Sequence, residues 1–100
     1  MEKFKIVYSG DVRSRLIEVL TSLEKNWGKR VAESFLQKYE ITIKRLADNP
    51  KIGKIAQRDN SVRSILITKH NRLYFTVNKK TIMLLQLFDT RQNPINNKFE

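Results

Sequence analysis

The sequence has no cysteine. This excludes disulfide bonds and thiolate chemistry, and it removes the ligands that structural zinc sites usually require. Glycine and proline are scarce, with three and two residues, and they fall where helices or strands should end. The sequence also lacks a glycine-rich phosphate loop, a nucleophile motif and a paired-carboxylate signature. We therefore expect no metal and no cofactor.

Long apolar runs are absent as well. No segment has the pattern of a signal peptide or a membrane-spanning helix, so the expected location is the cytoplasm. Hydrophobic residues still make up 40% of the 100-residue chain and charged residues 30%, which is typical of one domain with one core. We place this domain at residues 1–94 and expect the polar tail, residues 95–100, to fray.

Acidic residues are few in comparison with basic ones. Ten Asp and Glu face twenty Lys and Arg, and the net charge is +10. Residues 51–72 alone hold six basic residues and one acidic residue, so this segment is predicted to face an anion. Nucleic acid or an acidic protein fits this charge, whereas a membrane surface does not, because no basic amphipathic tail is present.

Hydrophobic periodicity predicts the first half of the fold. Residues Phe4 to Tyr8 alternate with a period of two, which is typical of a β-strand. From Val12 to Trp27 apolar residues recur at spacings of three and four, which predicts a helix that Gly28 ends. The pattern restarts and predicts a second helix from about Lys29 to Asp48, antiparallel to the first. Trp27 is expected to lie in the core or to anchor the helix end.

The second half is predicted to be rich in strands. Residues 50–60 are interpreted as a loop, and three strands follow at Val62–Thr68, Arg72–Val77 and Thr81–Phe88. The last of these is almost wholly apolar, which favours an interior position in the sheet. The order β-α-α-β-β-β predicts an α+β fold with a two-helix hairpin on one face of a mainly antiparallel sheet.

Three arginines lie at or near strand ends. Arg63 shares one strand face with Ile65 and Ile67, so it either reaches water at the strand end or lines a groove on the exposed face. Arg72 begins the next strand and Arg91 follows the last one. Because neighbouring antiparallel strands can bring such residues together, we hypothesise that the three guanidinium groups converge on one phosphate-binding surface.

Other binding candidates lie in the same basic part of the chain. The lone histidine is in a predicted turn, where it is either solvated or an acid or base near neutral pH. The tyrosine on the strand face of Arg72 either packs in the core or stacks on a nucleic-acid base. The candidates for substrate binding are Lys51, Lys54, Arg58, Lys69, His70 and Tyr74.

Four segments together resemble the RelE/ParE toxin superfamily. They are Asn49-Pro50-Lys51-Ile52-Gly53, Val62-Arg63-Ser64-Ile65-Leu66, Asn71-Arg72-Leu73-Tyr74-Phe75 and Leu87-Phe88-Asp89-Thr90-Arg91-Gln92-Asn93-Pro94. The last segment is the most specific, and the resemblance covers nearly the whole chain. It implies a RelE/ParE-like fold and a toxin of a bacterial type II toxin–antitoxin pair, neutralised in a heteromeric complex by an antitoxin that is usually acidic in part.

The resemblance implies two possible activities. One branch of the superfamily enters the ribosome and cuts mRNA without a metal, using the 2′-hydroxyl of the substrate as nucleophile. By position, Arg63, Arg72 and Arg91 match the basic residues of that branch, and Lys51 and Lys54 would bind RNA. The other branch poisons DNA gyrase and is not a nuclease.

Two departures from the RNA-cutting branch keep the alternatives open. Ile65 stands where many members carry a second lysine, and Phe99 in the tail has no hydroxyl to carry a proton. Glu100 could exchange a proton but is expected to be mobile. We therefore retain an mRNA endonuclease as the first hypothesis, a gyrase poison as the second and a non-toxic basic RNA-binding module as the third.

Overall fold

The structure is a computed structural model that describes residues 3–100. It contains two helices, five strands and two single turns of 3-10 helix. The bounds are β1 Lys5–Tyr8, α1 Val12–Trp27, α2 Lys29–Asp48, β2 Lys54–Ile55, β3 Val62–Thr68, β4 Asn71–Asn78 and β5 Thr81–Asp89, with 3-10 turns at Pro50–Ile52 and Pro94–Asn96.

The five strands form one sheet in the order β1-β5-β4-β3-β2. β1 runs parallel to β5, and the other three pairings are antiparallel. The apolar strand β5 lies between β1 and β4, as its composition predicts. The helix hairpin packs on one face, so the predicted α+β architecture is confirmed.

The main core lies between the helices and this face of the sheet. Alternate residues of the strands point towards it, because successive side chains of a strand project to opposite faces. Each large side chain that is fully buried there contributes roughly 1.5–3 kcal/mol to stability. The buried members of this core are Val12, Phe35, Tyr39, Leu46, Ile67, Leu73, Phe75, Ile82, Leu84 and Leu87.

Gly28 joins the two helices. Its φ is +97°, a backbone conformation that other residues rarely adopt, so glycine permits the sharp reversal between α1 and α2. Of the two positions predicted for Trp27, the core is wrong, because the side chain is 72% exposed. The residue lies at the end of α1, which is the other predicted position. An amphipathic pattern places a residue on the apolar side of a helix, but it does not tell whether another element covers that side at the helix end.

Residues 50–60 were predicted to be a loop, but they contain the two-residue strand β2. Lys54 pairs with Ser64 and Ile55 pairs with Arg63. The neighbouring Gly53 lies against the core, where an added Cβ would stand 2.5 Å from the Phe75 ring. A strand this short leaves no periodic signal in the sequence, and only its partner β3 defines it.

The second face of the sheet carries a smaller core and the chain's last residues. Val62, Tyr74 and Phe88 are buried there, and Phe99 packs against them. Asn97 is buried, and the Arg58 amide donates to the Phe99 carbonyl at 3.0 Å. The expectation that residues 95–100 fray is therefore wrong. We call this second face the open face, because no helix covers it.

Candidate functional site

The strand register separates Arg63 from Arg72. Arg63 pairs with Phe75, a residue of the main core, and therefore projects towards the helix side of the sheet. Its Nη1 donates to the Gly53 carbonyl at 2.9 Å, so the guanidinium ties β3 to the loop before β2. Arg72 pairs with Phe88 and projects from the open face. Arg63 is a cation on the apolar face, as predicted, but that face packs against the helices.

Arg91 follows the end of β5 and does not line the groove that contains Arg72. Its Nε donates to Asp89 Oδ1 at 3.0 Å and its Nη2 donates to Asp89 Oδ2 at 2.8 Å, so the two residues form a bidentate ion pair. Hydrogen bonds from Arg91 hold the pKa of the Asp89 carboxyl below its ordinary value. The side chain borders a groove formed by the helices and the β3–β4 turn. The hypothesis that three arginines converge on one surface is therefore wrong.

A basic groove of about 510 Å³ does exist on the open face. Three cations line it: Lys54 from β2, Arg58 from the loop before β3, and Arg72 from β4. The Nη1 of Arg72 donates to the hydroxyl of Ser64 at 2.8 Å, and Ser64 is buried. This hydrogen bond orients the guanidinium, so part of its donor set stays directed into the groove. We call this feature the open-face groove.

Tyr74 forms the floor of the open-face groove. Its ring is fully buried, with the Phe99 ring centroid 5.1 Å away. Its hydroxyl accepts a hydrogen bond from Asn97 Nδ2 at 2.7 Å and donates one to Glu100 Oε1 at 3.3 Å. Burial raises the pKa of this phenol above its ordinary value of 10.0. A base can stack on Tyr74 only after Phe99 has moved away.

Glu100, which was expected to be mobile, lies in the open-face groove. Its carboxylate accepts from the Tyr74 hydroxyl and from the Gln57 amide at 3.5 Å. It therefore lies in a groove that also holds Arg72, Lys54 and Arg58. One sequence signal could have indicated this position. Phe99 is a lone aromatic residue in a polar tail, and a large apolar side chain in such a place favours docking.

The remaining candidates do not line the open-face groove. Lys51 is exposed in the 3-10 turn after α2, where its amide donates to Asn49 Oδ1 at 3.1 Å. Lys69 and His70 occupy the β3–β4 turn and line the groove beside Arg91. The predicted residues thus divide into one set on the open face and another beside the helices.

Within residues 3–100, no three or more histidine, cysteine or acidic side chains cluster as metal ligands do. Neither helix in that range has the length and apolar character that crossing a bilayer requires.

Comparison with known proteins agrees with this fold. The sequence matches the family model described as the ParE toxin of the type II toxin–antitoxin system parDE over residues 6–94. No curated protein matches the sequence. The solved structures that share the fold include two that are each 16% identical in sequence to this chain. The chain is similar to one from the chromosomal ParDE toxin–antitoxin system of P. aeruginosa, with a TM-score of 0.72 over 87% of this chain and 96% of that one.

The second similar structure is the YoeB dimer from Staphylococcus aureus. Its TM-score is 0.59, and the match covers 90% of this chain and 99% of that one. Both likenesses are in the fold, whereas the family match is in sequence and spans most of the chain. The chain therefore belongs to the ParE toxin family of type II toxin–antitoxin systems.

Proposed function

We propose that this toxin is a metal-independent mRNA endonuclease that acts on the ribosome through the open-face groove. The observation that carries the proposal is the position of Glu100, a carboxylate, in one groove with three cations, Arg72, Lys54 and Arg58. Such a set can bind a phosphodiester and accept a proton beside it. In this proposal the toxin acts in the cytoplasm on the ribosome and its mRNA. The antitoxin is the partner that inhibits the toxin.

The chemistry assigns one task to each group. The 2′-oxygen of the substrate attacks the adjacent phosphorus, and Glu100 accepts the proton that this oxygen loses. Arg72 stabilises the added negative charge on the phosphoryl oxygens in the transition state. The bond from phosphorus to the 5′-oxygen breaks, and that oxygen takes a proton from water. Lys54 and Arg58 bind the flanking phosphates, which explains their place at the groove rim.

Phe99 and Tyr74 set a condition on this reaction. Tyr74 lies in the groove and the Phe99 ring packs against it, so we expect a base to stack on Tyr74 only after Phe99 moves aside. Tyr74 then becomes a surface on which the base can stack. Glu100 follows Phe99 directly in the chain, and the reaction requires its carboxylate to stay in the groove while the ring moves.

The test is to add the purified toxin to translating ribosomes and to map mRNA 5′ ends. Arg72→Ala and Glu100→Gln should each reduce the cleavage rate about a hundredfold, as loss of a transition-state contact does. Lys44→Ala, an exposed basic residue on α2, is the matched control and should change the rate less than about threefold. Arg63→Ala and Arg91→Ala test whether the two arginines outside the open-face groove take part in the reaction. Their cleavage rates should resemble that of the control. Equal losses for all three arginines would restore the hypothesis of one converged site.

A gyrase poison is the second candidate. Two observations favour it. The matching family model is that of the ParE toxin of parDE systems. In addition, Arg63 and Arg91, two of the three arginines predicted to be catalytic, do not line the open-face groove. A toxin of this kind binds gyrase and needs no acid–base pair. Intact mRNA together with trapped gyrase–DNA cleavage complexes would favour it over the nuclease. Intact mRNA without gyrase trapping or growth arrest would favour the non-toxic RNA-binding module.

A further inference from the structure

Strand β5 contains a β-bulge just before Gln86. Tyr74 of β4 pairs with Gln86, whereas the next residue of β4, Phe75, pairs with Leu84, so β5 holds one extra residue at this point. Strict alternation from Leu84, a residue of the main core, would turn Gln86 towards the helices. Because of the extra residue, Gln86 lies instead on the open face, as Tyr74 and Phe88 do. Bulges occur often next to functional sites, where they redirect a side chain.

The side-chain carbonyl oxygen of Gln86 is buried and lacks a hydrogen-bond donor in residues 3–100, the part of the chain that the structure describes. No other buried side-chain oxygen or nitrogen atom in that range is unpaired. The residue as a whole is half-buried, so its carboxamide reaches the surface. Burial of an unpaired carbonyl costs free energy, and native proteins pair nearly all such groups. This acceptor is therefore suited to a ligand that brings an N–H group.

Gln86 borders a groove that adjoins the open-face groove. The volume of this second groove is about 250 Å³, and its lining is mostly polar. Phe88 and Gln92 line both grooves. The tail runs between them, with Asn97 lining the open-face groove and Lys98 lining the second one. We call this feature the bulge groove. An RNA strand in the open-face groove can therefore place a neighbouring nucleotide in the bulge groove.

Charged side chains of both signs line the bulge groove. They are two cations, Arg15 and Lys98, and one acid, Asp11. The Arg15 guanidinium lies 3.5 Å from the Glu18 carboxylate on the same helix, so we assign phosphate binding to Lys98, which is exposed. The groove thus offers a cation for a phosphate and, on Gln86, an acceptor for an N–H group. A nucleotide carries both complements.

We propose that the bulge groove binds one nucleotide of the substrate RNA and that Gln86 selects adenine there. The Gln86 Oε1 accepts a hydrogen bond from the adenine amino group and its Nε2 donates one to N7, which is the pairing that glutamine commonly makes with adenine. The last side-chain torsion of glutamine is broad and roughly two-fold, so the carboxamide can rotate to present both atoms. The proposal takes RNA as the ligand from the proposed function and adds a specificity-determining residue to it.

The unpaired acceptor and the position of the groove decide between possible occupants. A free phosphate pairs with Lys98 but brings no N–H group that a neutral base edge has. An acidic peptide brings both N–H groups and negative charge. RNA is favoured over a peptide because the bulge groove continues the open-face groove, where three cations and the Tyr74 ring suit phosphates and bases.

A single amino group of the ligand provides the direct test. Short 2′-O-methyl oligonucleotides, which cannot be cut because the nucleophile is blocked, are titrated onto the whole toxin in two forms. One form carries adenosine, and the other carries purine riboside, which keeps N7 but lacks the amino group. We expect the adenosine form to bind about tenfold more tightly. Equal binding of the two forms would overturn the proposal, and so would the absence of binding by either.

Matched substitutions locate the contact. Gln86→Leu should reduce the preference for adenosine to less than about twofold, whereas Gln37→Leu, at an exposed glutamine of α2, should leave it intact. Lys98→Ala should weaken binding of both forms equally and reduce its dependence on salt, as loss of a phosphate contact does. Urea unfolding tests the structural alternative. Gln86→Leu that lowers stability and weakens both forms equally would show that Gln86 supports the fold and reads no base.

Cleavage on ribosomes separates this proposal from the nuclease proposal. Gln86→Leu should lower cutting at sites with adenine at one fixed position about tenfold relative to sites without it. Intact mRNA together with the binding preference for adenosine would refute the nuclease and leave the base-selecting site in place. Cut mRNA with a profile that Gln86→Leu leaves unchanged would refute the base-selecting site alone. NMR shifts of the Gln86 side-chain amide on adding antitoxin, with none on adding RNA, would assign the groove to a peptide instead.

Discussion

Replacement of Phe99 by alanine is the most informative single change to the tail. The ring packs on Tyr74 with its centroid 5.1 Å away and the two planes inclined at 32°. It also contacts the smaller core of Ala56, Val62 and Phe88. Because Glu100 and Asn97 both reach the Tyr74 hydroxyl, the ring is the apolar anchor of a segment whose other contacts are hydrogen bonds.

The expected loss of stability follows from the burial of the ring. A fully buried phenylalanine costs about 3–5 kcal/mol when it is replaced by alanine. Phe99 is half-buried, so we expect about 2 kcal/mol, of which an aromatic pair accounts for roughly 0.5–1.5 kcal/mol. The tail can also detach while the sheet stays folded. The loss is therefore limited to the free energy that docks the tail.

Two measurements check this prediction. Urea unfolding gives the free energy of unfolding, and NMR of labelled tyrosines gives the pKa of the Tyr74 hydroxyl. In Phe99→Ala that pKa should fall towards 10.0, because water reaches a phenol whose pKa is raised chiefly by burial. Ile95→Ala, in the same tail but 84% exposed, is the control and should cost less than about 0.5 kcal/mol. If Phe99→Ala matches this control in both measurements, the Phe99 ring does not dock the tail on Tyr74.

Two further predictions concern the main core. Gly53→Ala should lower the free energy of unfolding by about 1–3 kcal/mol, because the new methyl group meets the fully buried Phe75 ring. If this clash is the cause, the same substitution should cost less in a Phe75→Leu background. Additive losses would contradict it. Burial raises the pKa of Tyr39 above its ordinary value of 10.0, and the hydrogen bond with Tyr8 raises it further. The neutral Tyr39 side chain therefore contributes fully to stability below about pH 10, and this contribution is lost as the pH rises above that value. Tyr39→Phe should therefore make urea unfolding midpoints decline less between about pH 8 and about pH 11, and an unchanged decline would refute this assignment.

The secondary structure was largely predictable from the sequence. The second helix and the strand Val62–Thr68 have the predicted bounds, since apolar residues at period 3.6 or period two report directly which side of an element is buried. The two-residue strand β2 was not predictable. It exists because a neighbouring strand offers hydrogen bonds, and its own residues carry no periodic signal.

The candidate site was less predictable than the fold. Alternation along β3 placed Arg63 with Ile65 and Ile67, which is correct, but alternation does not tell which face the helices cover. The helices pack on the Arg63 face, and this places Arg72 on the opposite, open face of the sheet. Glu100 was considered as a group that could exchange a proton, but its position was not predictable, because a tail docks only where the folded chain provides a complementary surface.

The order and type of neighbouring residues are enough to predict the two helices, the longer strands, the α+β class and the excess of positive charge. Which cations share a surface follows only from tertiary contacts. Arg72 joins Lys54, Arg58 and Glu100 through strand pairing and tail docking, whereas Arg91 is held by Asp89 beside the helices. These arrangements arise from contacts between residues distant in the chain, and such contacts leave no local pattern in the sequence.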